Sequence, residues 1–415
     1  MSYRTRCRAC ESLELAHSDG LSLIASHSIP RIVGLVAIIG SLLVSSRAGA
    51  ADDEMIAKYR QPPSEWPAFE VDEGVEAKEL GLLPPLPTVE WHTTQTEELG
   101  KYLFFDPRLS SSQQIACGSC HDPNLGWTDG RRVSFGHDRV RGQRNSMTLL
   151  NAAYFDELFW DGRASGLLNL ISIPLQSEIE MDAEIEDVVE RIGAIPEYRN
   201  KFAEAFDDES ITENRISIAI ASFVRSIRSS PSDFDHFVKG DRQRLSDQEI
   251  KGLHIFRTKA RCMNCHHGPL FSDGKFHHTG LSYFGRRFED RGRFEATGKK
   301  EDMSRFRTPS LRDLEFTGPW MHNGLFTNFT GVLNMYNHGV TSNSRVRERS
   351  PSLSQLIRPL DLTDEEIEDL EAFLKTLGRI PYFVEAPELL GFDRPDSDAV
   401  YRLPGEKPEN KTTEF

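Results

Sequence analysis

The sequence predicts an all-α fold of two small helical domains, and three observations carry that prediction. Two segments of similar layout, ELGKYLFFDPRLSSSQQIACGSCH and IKGLHIFRTKARCMNCH, each run from a helix start through a loop to a C-x-x-C-H motif. A third helical segment, IEDLEAFLKTL, follows near the C-terminus. No convincing run alternates apolar and polar residues as a half-buried strand would.

Each of the three helices has a start signal. Thr94–Glu97, Ser246–Glu249 and Thr363–Glu366 set a hydroxyl three residues before a carboxylate. That is the spacing of a capping box, in which side chains satisfy the free backbone donors of the first turn. Gly100 matches Gly252 and Phe104 matches Phe256, so the first two units read as a duplication with unequal loops. Between them, 188–206 and 213–227 carry helical patterning. In 363–377, Ile367, Leu370, Phe373, Leu374 and Leu377 share one face. The domains are drawn over 94–238 and 239–380. Residues 51–93, with QPPSEWP and LLPPLP, read as an extended, Pro- and acid-rich surface arm, and 381–415 as a loose tail.

The chain has 415 residues, enough for two or three cores, and a net charge of −15, which argues against nucleic acid as a partner. Its N-terminus holds an apolar run, IVGLVAIIGSLLV (32–44), preceded by Arg31 and followed by Ala48-Gly49-Ala50. The run is short for a bilayer and ends in a small-residue cleavage pattern. Residues 1–50 therefore read as a secretory signal cut after Ala50, which places the mature protein in the periplasm; an uncleaved anchor is the alternative. Past Ala50 the cysteines are Cys117, Cys120, Cys262 and Cys265. An exported chain ordinarily spends its cysteines on disulfides at varied spacings. Here all four fall in two C-x-x-C pairs, followed at once by His121 and His266.

Such a motif attaches a c-type haem. Two thiols add across the two vinyl groups of one porphyrin, and the next histidine reaches the iron. One zinc site built from both pairs is the competing reading, but it leaves the two histidines unexplained. Two covalent haems on an exported acidic chain leave three classes: a peroxide-reducing enzyme, an enzyme that oxidises a protein or small molecule through high-valent iron, and an electron carrier. A carboxylate near an open iron means chemistry, whereas two closed irons mean electron transfer.

The run from LGKYLFFDPRLS through SCHDPNLGWTDG, RNSMTLLNAAY, FWDGRA, IEM, CMNCHHG, RFRTPSLRD and WMHNGLF to EAFLKTL resembles the bacterial dihaem cytochrome c peroxidases and their MauG-type relatives. The resemblance covers most of the mature chain. It implies two cytochrome c-like domains packed with a haem–haem interface, His121 and His266 as proximal ligands, and peroxide chemistry at the first haem. It implies Trp160 between the haems and Glu180 as the distal carboxylate that moves peroxide protons. It also implies Asn145, Thr317 and Pro319 around a Ca2+ between the domains. His137 matches a removable sixth ligand of the first haem; a solvated loop histidine is the alternative. Tyr336 matches the sixth ligand of the second haem, where typical peroxidases carry Met and MauG-like proteins Tyr, and a one-residue slip would put Met335 there instead. Leu170 stands where the family often has Gln, and Ala260 where MauG has a Trp. Arg307 and Arg312 are candidates for propionate contacts, more so than Arg286, Arg287, Arg291 and Arg293.

The expected function is reduction of hydrogen peroxide, with electrons passed from a small cytochrome c or copper protein through the His266 haem and Trp160. A MauG-like oxidase, which would oxidise a protein substrate through a two-haem high-valent state, is the alternative; a dihaem electron carrier is the non-enzyme one. A homodimer stays open as the assembly.

Overall fold

The protein is described here from a computed structural model covering residues 50–339, 352–380 and 384–392. The apolar run read as a secretory signal and most of the expected tail lie outside the described residues. The described residues from Glu54 onward form one compact unit with two hydrophobic cores.

The first core is built by α1 (Thr94–Phe104), α2 (Gly166–Gln176), α3 (Ile185–Gly193), α4 (Pro196–Phe206) and α5 (Glu213–Ser226). α1 crosses α5 at close range: a Cβ on Gly100 would run into the Ala219 carbonyl. One turn on, Phe104 meets Phe223 edge to face at 5.2 Å. The second core repeats the arrangement with α6 (Asp233–Lys239), α7 (Asp247–Arg257), α8 (Phe329–Asn337) and α9 (Asp364–Lys375). A Cβ on Gly252 would run into the Asp369 carbonyl, and Phe256 meets Phe373 at 5.3 Å. The matched Gly and Phe of the sequence are thus one helix-crossing device used twice. Phe234 and Phe237, ahead of the boundary drawn at 238, already belong to the second core.

Two capping boxes form as expected, at Ser246/Glu249 and Thr363/Glu366. The first is displaced by one residue. Thr93 caps α1 and its reciprocal partner is Thr96, not Glu97. The reason is tertiary, because the Thr96 hydroxyl also reaches Ser222 Oγ on α5 at 2.9 Å. The single helix expected over 188–206 is two, because Pro196 has no N–H to continue α3 and instead starts α4.

The arm departs most from expectation. Its first part, 54–59, is helical, and Tyr59, Trp66 and Leu80 are buried in the second core. Fully buried Arg257 holds it there. Its Nη1 donates to Tyr59 Oη (2.8 Å) and the Pro67 carbonyl (2.7 Å), and its Nη2 pairs with Glu79. A buried guanidinium needs such partners, and the arm supplies them. The tail is not loose throughout either. Val384 and Leu390 pack on the first core, and the Leu390 carbonyl accepts from Arg108 (2.7 Å).

Strand structure is slight. Two antiparallel ribbons pair β1 (Glu157–Leu158) with β2 (Ala164–Ser165), and β3 (Phe276–His277) with β4 (Phe306–Arg307). β4 matters because it carries residues of the second half to the first: the Arg307 N–H donates to the Trp160 carbonyl at 2.8 Å.

Candidate haem centres

Each C-x-x-C-H motif is a tight turn of the same geometry. Cys117–Ser119 and Cys262–Asn264 form one 3-10 turn each. The His121 N–H then closes onto the Cys117 carbonyl (3.0 Å) and the His266 N–H onto the Cys262 carbonyl (2.7 Å). Both imidazoles are oriented alike. His121 Nδ1 donates to the Trp127 carbonyl at 3.0 Å, and His266 Nδ1 to the Phe271 carbonyl at 2.9 Å. This fixes the tautomer and leaves Nε2 as the ligating nitrogen. Burial pushes both histidines below their usual range, so both are neutral, as a ligand must be. Burial likewise pushes Cys117 and Cys262 up to about 12 and Cys120 to about 11. Among the described residues the four thiols do not gather; the single cluster of potential ligands is Cys265, Asp273 and His277. There the Asp273 carboxylate is engaged by His277 Nε2 (2.8 Å) and the Lys275 N–H (2.9 Å).

Beside the first motif lies a cavity of about 500 Å³, lined by Cys117, Cys120, His121, Trp160, Leu170, Glu180 and Arg307 among others. Two of its carboxylates, Asp161 and Glu295, pair with Arg144; the third is Glu180. Burial raises its pKa, opposed by Arg163, whose Nη2 lies 3.9 Å from Oε1. Arg163, a residue the sequence reading passed over, is itself held by Asp161 (3.0 Å) and stacked 3.5 Å over the Phe159 ring. It follows Trp160 in FWDGRA, so the motif contained the signal. Trp160 is buried, donates from Nε1 to the Asn145 carbonyl (2.9 Å), and meets His322 edge to face at 6.4 Å. Leu170 leaves its part of the wall apolar.

His137 is not in that wall. Its Nδ1 lies 3.2 Å from Ser111 Oγ, and its Nε2 lies 3.4 Å from Asp138 and 3.6 Å from Asp182. Its backbone N–H donates to the Glu180 carbonyl at 2.8 Å, so its loop is fastened to the cavity rim while the imidazole is engaged elsewhere.

The chain has a place for the anionic edge of a haem. Arg307 lines the cavity at 6% exposure. It donates to the Phe159 carbonyl (3.3 Å) and approaches Met147 Sδ (3.5 Å), but among the described residues Nη1 has no partner and no carboxylate pairs with it. Burial lowers its pKa to about 10. An unpaired buried cation is costly, and haem propionates are anions suited to meet it. Arg312 is different: Asp235 (2.9 Å) and the carbonyls of Pro269 (2.6 Å) and Gly81 (2.8 Å) occupy its donors, so it is structural. Arg293 pairs with Glu157 (2.7 Å), and Arg291 stacks over Phe294 at 4.1 Å.

At the second motif, Tyr336 lies in α8 within electrostatic reach of both Cys262 and Cys265; burial first, then these thiols, push its hydroxyl well above the phenol range. Met335 precedes it, and neighbouring helical residues point about 100° apart. His338 is exposed and donates to the Asn334 carbonyl at 2.7 Å. Of the three residues expected near calcium, Asn145 spends Nδ2 on the Arg131 carbonyl (2.9 Å) and its N–H on the His322 carbonyl (2.8 Å). The Thr317 hydroxyl donates to the Leu314 carbonyl (3.3 Å), and Pro319 follows a cis bond.

Two helical cores, each with a C-x-x-C-H turn packed against it, define a c-type cytochrome with two attachment sites. The family model for di-haem cytochrome c peroxidase matches residues 94–243. The methylamine utilization protein MauG of Methylophilus methylotrophus is 34% identical over 357 residues, covering 85% of this chain and 97% of that protein. The cytochrome c551 peroxidase of Nitrosomonas europaea is 31% identical over 332 residues, covering 80% of this chain and 89% of that one. A crystal structure of a MauG-like protein associated with microbial copper homeostasis superposes with a TM-score of 0.64 at 31% identity, covering 74% of this chain and 96% of that one. The chain belongs to the di-haem cytochrome c peroxidase family, whose members, MauG among them, are oxidoreductases. Membership implies two c-type haems.

Proposed function

We propose that this protein is a periplasmic dihaem oxidoreductase that takes hydrogen peroxide as oxidant at the His121 site and electrons from a protein partner, with the first haem open at rest. The observation that carries the reading is the cavity itself, which joins His121 to Glu180 while His137 is engaged outside it. When bound, the haem supplies the iron that takes up peroxide. Glu180 moves the proton from the inner peroxide oxygen to the outer one, as heterolysis of the O–O bond requires. Its raised pKa suits a group that must accept and return a proton, and the Arg163 guanidinium lies 3.9 Å from the carboxylate. Arg307 would meet the propionates, and Trp160 would relay electrons between the two sites.

Tyr336 favours the MauG-like branch, in which the electrons come from a protein substrate, over a peroxidase fed by a small cytochrome or copper protein. A phenolate oxygen on the second iron stabilises higher oxidation states, where a thioether from Met335 would favour the reduced one. A Ca2+ at Asn145, Thr317 and Pro319 completes the proposal, since carbonyl and amide oxygens suit that ion. The test is electronic absorption and EPR spectroscopy of the oxidised holoprotein. A high-spin first haem that reacts with peroxide without prior half-reduction, and is unaltered in His137→Ala, is expected. A low-spin first haem that opens only on half-reduction would sink the reading.

A further inference from the structure

We infer that Tyr59 is a redox-active residue that gives one electron to the second haem site while passing its phenolic proton to His254. The inference rests on the reading of peroxide as the oxidant. Tyr59 ends the helical part of the arm and is fully buried in the second core. Its oxygen has two partners. Arg257 Nη1 donates to it (2.8 Å), so its own hydrogen is free for the other, His254 Nδ1, at 3.2 Å. That is within the reach of a base, and it leaves Nδ1 as the accepting nitrogen of a neutral imidazole. His254 is only half-buried, so a proton taken up there has a route to solvent. Burial raises the Tyr59 pKa, and the phenol is neutral at rest. A cation radical in an apolar core would be a buried charge, which is costly. Loss of the proton together with the electron avoids it.

Among the described residues no other tyrosine is bonded to an imidazole. Tyr198 Oη donates to Asp106 (2.7 Å), but both are fully buried and Arg108 already holds that carboxylate (2.6 Å). Tyr154 Oη donates to the Pro84 carbonyl (2.6 Å), which takes no proton. Trp66 lies 5.4 Å from the Tyr59 ring, with the Arg257 guanidinium 5.3 Å from its own ring. An oxidised Trp66 would set a cation beside a cation, whereas Tyr59 ends neutral. The charge that moves to His254 stands nearer solvent, and Glu79 already pairs with Arg257.

The arm also joins this cluster to the second motif. The Glu70 N–H donates to the Arg257 carbonyl (2.8 Å), and the Asp72 N–H donates to Asn264 Oδ1 (2.8 Å), inside the C-x-x-C pair. Two residues of chain are short, so at most about 13 Å separates the Arg257 carbonyl from the Asn264 amide. From α7, Phe256 meets Phe271 at 6.0 Å, and the Phe271 carbonyl orients His266. In the step, the phenolic O–H breaks, an N–H forms at His254 Nδ1, and the electron passes to the second site. It replaces one of the two electrons that peroxide removes. The other oxidising equivalent stays on the site until the partner donates. A further electron from the partner, with the proton returned by His254, restores the phenol.

The test is rapid-freeze EPR of the holoprotein mixed with stoichiometric hydrogen peroxide and no reductant. A phenoxyl signal is expected, and its hyperfine pattern should narrow when the protein is grown with ring-deuterated tyrosine. Tyr59→Phe should abolish it. His254→Gln, which accepts a hydrogen bond but takes no proton, should slow its formation by about tenfold or more. Resting haem spectra show whether both variants carry their haems. In the unaltered protein, ENDOR after exchange into D2O should find deuterons hydrogen-bonded to the phenoxyl oxygen, from Arg257 and His254, which decides the site even where a variant does not fold. Absence of a tyrosine radical, a signal that survives Tyr59→Phe, or a phenoxyl oxygen without such deuterons overturns the inference. If peroxide leaves the haem spectra unchanged, the peroxide reading fails instead. Photogenerated ruthenium(III) tris-bipyridine then oxidises the holoprotein directly, and loss of the phenoxyl signal in Tyr59→Phe, or its persistence, still decides the role of Tyr59.

Discussion

Glu180 lies in the run SEIEMDAEIED, where nothing in the residues themselves separates it from Glu178 or Glu184. Folding separates them: both neighbours are exposed, and Glu180 alone of the three lines the cavity. Burial raises its pKa and Arg163 only partly opposes the rise. Because the carboxylate must accept the first proton, peroxide turnover should rise with pH through a value above 4.5, the ordinary value for this group. Glu180→Gln should remove that limb of the profile and lower turnover by about 10²- to 10⁴-fold; steady-state kinetics across pH is the check. An unchanged rate would count for the electron-carrier reading. At the other site, Tyr336→Met should raise the midpoint potential of the second haem, because a thioether stabilises the reduced iron relative to an oxygen ligand. Spectroelectrochemical titration reads this directly. If replacing Met335 moves the potential and replacing Tyr336 does not, the ligand is Met335.

At the scale of elements, the duplication was legible because it rests on two residue types with strong physical reasons. Gly100 and Gly252 are needed where one helix backbone meets another, and no other side chain fits there. Gly100→Ala or Gly252→Ala should each cost about 3 kcal/mol, the upper part of the range for overpacking, since the obstacle is backbone carbonyl and cannot swing aside. Denaturant melts of the two variants test this, and a cost under about 1 kcal/mol would mean the helices separate easily. What remained illegible at this scale had tertiary causes. The first capping box slipped because Thr96 also serves Ser222. The arm looked like a linker from its prolines, yet its Tyr59, Trp66 and Glu79 answer the needs of buried Arg257 far along the chain.

Over the whole molecule, side chains from one half complete the other. Arg307, Pro309 and Ser310 line the cavity that holds the first motif. Arg144 ties Asp161 (2.5 Å) to Asp290 (2.7 Å). Between the cores, Asn151 Nδ2 donates to Ser229 Oγ (2.5 Å), which in turn donates to Asp313; Asp313 also accepts from the Arg379 N–H at 3.2 Å. Burial raises the Asp313 carboxyl from 3.8 to about 6. A carboxyl with a raised native pKa contributes stability that is present below its ordinary value and lost as pH rises through the native one. Between pH 4 and 7 this group should therefore withdraw stability, by about 3 kcal/mol at most. Asp313→Asn keeps a side chain able to accept from Ser229 and Arg379 but carries no charge. Its unfolding free energy should accordingly fall less between pH 5 and 7 than that of the unaltered protein. Urea melts at the two pH values check it, and equal slopes would exclude Asp313 as the source.

The sequence by itself determined the chemistry that depends on local spacing. Two thiols and a histidine in five residues specify covalent haem, and a Gly and a Phe one turn apart specify the helix crossing beside it, because covalent reach and helical pitch are short-range quantities. Only the tertiary structure decided which acid of SEIEMDAEIED faces the first cavity, that His137 is engaged outside it, and that of two motif arginines Arg307 lacks an anionic partner among the described residues while Arg312 has one. Each of those outcomes depends on burial and on partners distant in the chain, which spacing along one segment does not encode.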